Sequence, residues 1–254
     1  MVKIGLIGGS GFEKPEILKK SKEIFPKTPY GKPSPITCGE IEGVKVVVLF
    51  RHGKEHTIPP SQVNYRANIF ALKKLGCTHI IATTACGSLR EEIRRGDLVI
   101  LDQFIDFTKQ RRTTFFEKFK PGVENVKHTP MADPFSEKLR SILIEAGKEL
   151  GLRIHEKGTV ITIEGPRFST RAESKMFRLW GADVINMSIA PEAILANEAG
   201  IPYAAVAMST DYDCWKSDEA PVDTAEVFRV FGQNVEKVKN LLLKAIPMVA
   251  KRLS

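Results

Sequence analysis

The stretch QVNYRANIFALKKLGCTHIIATTA, residues 62–85, contains a change of hydrophobic period. Tyr65, Ile69, Leu72 and Leu75 recur at spacings near 3.6, which predicts a helix with one buried face over residues 62–75. HIIATTA (79–85) follows as a short run rich in β-branched side chains, the mark of a strand covered on both faces. Working outward, VKIGLIG (2–8), VKVVVLF (44–50), DLVILDQFI (97–105), KGTVITIEG (157–165), ADVINMS (182–188) and PYAAVAMST (202–210) read as further strands. A second helix is expected after Asp133, with Leu139, Ile142, Leu143, Ala146 and Leu150 on its buried face, Asp133 as N-cap, Pro134 in the first turn and Gly151 as the stop. The last helix is announced by Asp223 and Glu226, spaced as a capping box. Its stripe is Val227, Val230, Phe231, Val235, Val238, Leu241, Leu242 and Ala245. Strands alternating with amphipathic helices predict an α/β fold: a central mixed, mostly parallel twisted sheet flanked by helices. Residues 108–129 are irregular and polar, and are expected to run over the surface.

With 254 residues, of which 43% are hydrophobic and 27% charged, one large core is possible. No repeat, low-complexity tract or Ser/Pro-rich linker divides the chain, so a single domain over 1–254 is expected. No window approaches the roughly 18 apolar residues of a membrane span. Cys38, Cys77, Cys86 and Cys214 show no CxxC spacing. These features predict a soluble cytoplasmic protein with reduced thiols and no membrane partner. The net charge of +8 invites a nucleic-acid reading. Basic and acidic residues are nevertheless interspersed, as in LREEIRRGD (89–97) and FSEKLRSILIEAGKEL (135–150), so no nucleic-acid partner is expected. An anionic small substrate suits the charge equally well.

Several segments carry candidate chemistry. IGLIGGSGF (4–12) is a strand running into glycines whose amides, with the Ser10 hydroxyl, suit a phosphate; an ordinary glycine turn is the alternative. It lacks the GxGxxG spacing of a dinucleotide site. FRHGKEH (50–56) follows a strand with Arg51, a fork matching two phosphate oxygens, and His52; a surface arginine beside a packed histidine is the bland reading. His56 has no carboxylate or cysteine cluster near it in sequence, so no metal site is expected. HIIATTACGSL (79–89) ends in small and hydroxylated residues that can present Thr84 and the Ala85 amide to an anion, or simply turn. In EGPRFS (164–169), Phe168 can stack on a purine or pack in the core. ADVINMSIAPE (182–192) offers Met187 as a soft apolar surface for a sugar and Ser188 as a phosphate donor. YAAVAMST (203–210) runs into Asp211 and Asp213. Two acids at i and i+2 can share a pocket so that one keeps a proton, which suits adenine, or can form an acidic turn.

Taken together, GGSGF, FRHGKEH, TTACGSLREEI, EGPRFSTRAESKMFRLWGADVINMS and MSTDYDCW resemble, in order and spacing over about residues 3–216, the methylthioadenosine phosphorylases of the trimeric purine nucleoside phosphorylase superfamily. The resemblance implies a phosphorylase/hydrolase-like fold and phosphorolysis of 5′-methylthioadenosine to adenine and 5-methylthioribose 1-phosphate, in purine and methionine salvage. It implies phosphate contacts at Ser10, Arg51, His52, Thr84, Ala85 and Ser188, a ribose-side contact at Met187, and purine contacts at Asp211 and Asp213 with Phe168 and Ser169 alongside. VKHTPMADPF (126–135), with His128, resembles the stretch that a neighbouring subunit lends to the pocket, so a homotrimer or dimer of trimers is expected. No metal or organic cofactor is implied; inorganic phosphate is a co-substrate. Three departures are present. The usual NMT is NMS, the chain stops at Ser254 where some relatives continue, and residues 220–227 align only with a gap. The shorter tail implies a looser preference for the 5′-substituent, while phosphate binding is expected to persist because NMS keeps the Ser188 hydroxyl. The competing readings are a phosphorylase for 6-oxopurine nucleosides, which wants a donor facing the base oxygen, and a non-catalytic nucleotide- or nucleic-acid-binding module.

Overall fold

Strands and helices alternate through residues 2–8, 18–218 and 223–253, the residues that the computed structural model describes. In chain order they are β1 (Lys3–Gly8), β2 (Lys19–Ile24), β3 (Ile36–Ile41), β4 (Val44–Phe50), α1 (Tyr65–Lys74), β5 (His79–Ser88), β6 (Leu98–Ile100), β7 (Gln103–Phe107), α2 (Glu137–Glu149), β8 (Ile154–His155), β9 (Thr159–Ile163), α3 (Arg171–Leu179), β10 (Val184–Asn186), α4 (Ile189–Glu198), β11 (Tyr203–Asp211) and α5 (Thr224–Arg252). The strands form one mixed sheet with the order β2-β3-β4-β1-β5-β10-β9-β7, while β11 joins β5 to β6 and β6 carries β8. Six of the ten pairings are parallel, as the alternating pattern predicts.

The two faces of the sheet hold separate cores. Ile69, Leu72, Ile80, Ile189, Ala193 and Tyr203 build one beneath α1 and α4. Ile4, Leu6, Val46, Leu143, Leu241 and Leu242 build the other beneath α2 and α5. Each fully buried Leu or Ile contributes roughly 1.5–3 kcal/mol. The Leu241, Leu242, Ile246 and Val249 stripe, with at most traces of exposure, therefore ties the later turns of α5 firmly to the sheet. A third cluster, with Ile161, Phe177 and Ile185, seats α3.

The structure corrects several expectations. Ser136, not Asp133, caps α2, accepting from the Leu139 N–H. Asp223 caps α5 through the Ala225 N–H, but Glu226 pairs with Arg229 instead of closing a capping box. The run 97–105 is two strands. Beyond β6, the Asp102 carboxylate takes the Gly158 N–H and turns the chain, so β6 pairs with β11 and β7 with β9. The structure adds two helices to those expected, α3 and α4, and Thr170 and Glu173 close a complete capping box on α3. The segment 108–129 does run over the surface apart from one short turn of 3₁₀ helix, Val123–Asn125.

Candidate active site

The carboxyl ends of β4, β5, β10 and β11 open onto one cleft of about 350 Å³, the position at which open α/β sheets take ligands. Arg51, His52, Thr84, Ala85, Phe168, Ser169, Met187, Ser188, Asp211 and Asp213 all line it. Ser10 lies outside the described residues; β1 ends beside the Arg51 wall, where Gly8 O accepts the Arg51 N–H at 3.2 Å. His128 is exposed and absent from the lining, its ring 6.2 Å from that of Phe119.

Two acids occupy one wall. Opposite β5, the register of β11 slips between Ser209 and Asp211, so Asp211 stands against Gly87. Such a bulge re-aims a side chain. Glycine leaves Asp211 its place, because a Cβ at 87 would lie 2.8 Å from Asp211 Oδ1 and 3.0 Å from Ile185 Cγ2 and would force them to shift. Asp211 Oδ1 accepts the Asp213 N–H at 2.8 Å and Oδ2 accepts the Thr210 hydroxyl at 2.8 Å. The acidic turn and the paired acids are thus the same object. Burial pushes the Asp211 carboxyl up to about 6; its two hydrogen bonds oppose this and the Asp213 charge adds to it. Asp213 sits at φ 49°, and both its oxygens lie within 2.7 Å of the Ser169 hydroxyl. Cys214 donates to Ser169 O and Trp215 to Ser88 O, so both pack the turn.

The opposite wall offers hydrogen-bond donors. Arg51 is almost wholly buried, and its fork is already engaged: Nε and Nη2 bind Glu192 at 2.5 and 2.8 Å, and Nη1 donates to Thr83 O at 3.0 Å. Burial opposes its charge, but the Glu192 carboxylate outweighs burial and raises the Arg51 pKa. Three of five N–H donors are therefore spent among the described residues, so the fork expected to grip phosphate is already a buried ion pair, and the alternative of a surface arginine is excluded. Ser188 is the N-cap residue of α4, yet its side chain makes no cap hydrogen bond. Its hydroxyl thus sits beside a helix N-terminus, a favourable place for an anion. Asn186 Nδ2 reaches Thr84 Oγ1 at 3.4 Å, and Asn186 Oδ1 takes the Thr162 hydroxyl at 2.8 Å, which holds this wall together. His52 Nδ1 lies 2.9 Å from Ile58 O, an atom that only accepts, so that nitrogen is protonated, and Nε2 donates to an anion only when the ring is an imidazolium.

The mouth is more apolar. The His52, His56 and Phe228 rings pack in series, with centroids 4.7 and 5.1 Å apart, and Thr224 and Val227 from the first turn of α5 complete it. Phe168 is 37% exposed, so it is a wall of the cleft and not a core residue. The sequence reading missed Glu192, Asn186, Thr224, Val227 and Phe228. Glu192 had a signal, a single acid inside the apolar run of α4, because carboxylates are fully buried almost only when paired.

The family model described as the phosphorylase superfamily matches residues 3–247. The chain is 56% identical over 251 residues to S-methyl-5′-thioadenosine phosphorylase of Xenopus tropicalis, covering 98% of this chain and 89% of that protein. It is 53% identical to the protein of the same name from Drosophila melanogaster, covering 98% and 87%. Among solved structures, methylthioadenosine phosphorylase from Schistosoma mansoni in complex with adenine superposes with a TM-score of 0.92 at 45% identity, covering 99% of this chain and 93% of that one. A Ser-to-Thr mutant of the Schistosoma mansoni adenosine/methylthioadenosine phosphorylase, in complex with methylthioadenosine, gives 0.91 at 44%, with 99% and 93% covered.

Proposed function

The chain belongs to the phosphorylase superfamily, and from that premise we propose that it is a pentosyltransferase that cleaves 5′-methylthioadenosine with inorganic phosphate, giving adenine and 5-methylthioribose 1-phosphate. One observation carries the reading: a single cleft joins a buried acid pair on one wall to hydroxyl and guanidinium donors on the other. The relatives named for this activity, and the adenine and methylthioadenosine complexes of the Schistosoma mansoni proteins, support it.

In this reading the glycosidic bond stretches first and the ribose becomes cationic. Phosphate, held by Arg51, His52, Thr84, the Ala85 amide, Ser188 and Ser10, attacks the anomeric carbon from the face opposite the base. Its charge also stabilises the cation, an electrostatic contribution of preorganised groups. Asp211, the acid raised to about 6, gives its proton to the imidazole-ring nitrogen of the departing base, and the Asp213 carboxylate, with Ser169, accepts from the exocyclic amine. Met187 backs the sugar and Phe168 the purine. Thr224, Val227 and Phe228 give the methylthio group an apolar mouth. No metal or organic cofactor enters this scheme, and turnover should survive dialysis against EDTA.

The deciding experiment follows release of adenine and hypoxanthine from methylthioadenosine, methylthioinosine and inosine, with and without phosphate. Adenine from methylthioadenosine, only with phosphate, is expected. Equal release without phosphate means a hydrolase, faster cleavage of the inosine substrates means a 6-oxopurine enzyme, and salt-sensitive oligonucleotide binding without turnover means a binding module.

We also place His128 in the pocket of a neighbouring copy, in a homotrimer or dimer of trimers. The segment bearing it exposes Phe119, Val123 and Val126 at 45%, 89% and 39%, apolar surface suited to burial against another subunit. Sedimentation of a monomer at micromolar concentration would refute this. No helix of the described residues is long and apolar enough to cross a membrane. The four cysteines are free, which supports a reducing cytoplasm, and cell fractionation tests that placement.

A further inference from the structure

Arg111 belongs to the surface segment 108–129, yet its side chain is 1% exposed and it does not line the cleft. Four of its five N–H donors are spent on three separate pieces of structure. Nε binds the Glu164 carboxylate at 2.8 Å and Nη2 the Glu164 carbonyl at 2.5 Å. Nη1 donates to Met187 O at 2.9 Å and to the Tyr65 hydroxyl at 2.7 Å, and that hydroxyl donates onward to Pro60 O at 3.1 Å. The Arg111 guanidinium also lies over the Tyr65 ring, 5.1 Å from its centroid.

Each of these attachments leads to the same side of the cleft. Met187 and Pro60 line it directly, and Glu164 opens the turn whose Pro166 and Phe168 line it. The turn and Met187 meet closely, since a Cβ on Gly165 would fall 2.5 Å from Met187 Sδ. A shift of a few tenths of an ångström between the Glu164 and Met187 carbonyls would therefore move the Met187 side chain. No other described side chain bonds both carbonyls. A planar fork with fixed donor directions suits two carbonyls, a carboxylate and a hydroxyl at once; an ammonium group has three donors on one atom and cannot span them.

We propose that Arg111 is a positioning residue for the sugar-side wall: it sets Met187 against the turn after Glu164 and so fixes the site of the ribose without touching substrate. The inference rests on the phosphorolysis reading above. It weights the effect toward the nucleoside, because no hydrogen bond of Arg111 reaches a side chain of the phosphate wall; its one link to that wall is the Met187 carbonyl, joined through the peptide bond to Ser188.

Steady-state kinetics of Arg111→Ala and Arg111→Lys, with methylthioadenosine and phosphate varied separately, test the proposal. The expected result is a KM for methylthioadenosine raised at least tenfold in Arg111→Ala and severalfold in Arg111→Lys, a KM for phosphate raised by a clearly smaller factor, and partial recovery of Arg111→Ala by added guanidinium ion. Parallel rises in both KM values, or no rise in a folded variant, overturn it. If neither variant folds, Arg111 is a structural residue and the proposal fails. A parent protein that releases no adenine with phosphate refutes the phosphorolysis reading itself, a result visible before any variant is made.

Discussion

Asp211 Oδ1 accepts the backbone N–H of Asp213 at 2.8 Å, so the first acid of the pair holds the backbone that carries the second. The side chains are not interchangeable. Asp211 is bound by a hydroxyl and an amide and titrates near 6, whereas Asp213 is held through both oxygens by Ser169. Asp211→Asn keeps an acceptor for the Asp213 N–H but has no acidic proton to give. It should reduce kcat/KM for methylthioadenosine by about 10²-fold or more, and by a similar factor for methylthioinosine, whose departing base has the same ring nitrogen. A variant that lost activity on methylthioadenosine alone would count against Asp211 as the acid for that nitrogen.

The same carboxyl makes stability depend on pH. Its folded value of about 6 lies above its ordinary 3.8. Between those values the folded chain binds more protons than the unfolded one, so stability falls as pH rises from about 4 to about 6, and the loss is complete above that. A shift of that size corresponds to at most about 3 kcal/mol. Asp211→Asn should therefore melt higher than the parent at pH 8, with the gap closing toward pH 4; thermal melts across that range decide it.

Gly87→Ala places a methyl 2.8 Å from Asp211 Oδ1. We expect a loss of about 1–3 kcal/mol, the usual cost of overpacking, and a larger proportional loss of activity, because the carboxylate is the atom displaced. Calorimetry alongside kcat/KM for methylthioadenosine separates the effects, and an unimpaired variant would show that the bulge does not fix Asp211.

Glu192→Ala leaves the Arg51 charge buried without its partner and frees the Tyr203 hydroxyl that also binds Glu192. Breaking a buried pair from one side costs about 3–5 kcal/mol. Denaturant melts should show a loss of that order, partly restored by millimolar phosphate, whose charge can take the place of the carboxylate. A loss below about 1 kcal/mol would mean that the pair contributes little.

Parts of this were readable from the chain alone, for physical reasons. β5 and β11 are covered on both faces, so each carries an apolar run, IIA and YAAVAM, and residues toward or just past the carboxyl ends of such strands fall in the cleft; Thr84, Ala85, Asp211 and Asp213 are legible that way. β2, KKSKEI, was invisible because it is an exposed edge strand whose lysines discourage further pairing. The partner of Arg51 was hidden because Glu192 lies 141 residues away and only folding joins them. Arg111 was hidden for the opposite reason: local sequence gives an arginine in a polar stretch no sign that it turns inward.

The helix α5 starts at the mouth of the cleft and ends between the sheet and α2. Thr224 and Phe228 are exposed at its first turns, while Leu241, Leu242, Ile246 and Val249 are sealed in the core. The cleft mouth and this core stripe thus sit at opposite ends of one helix, about 20 Å or more apart at 1.5 Å per residue. On the proposed function, substitutions at the entrance should alter which 5′ substituents are admitted while leaving the residues that keep the protein folded undisturbed.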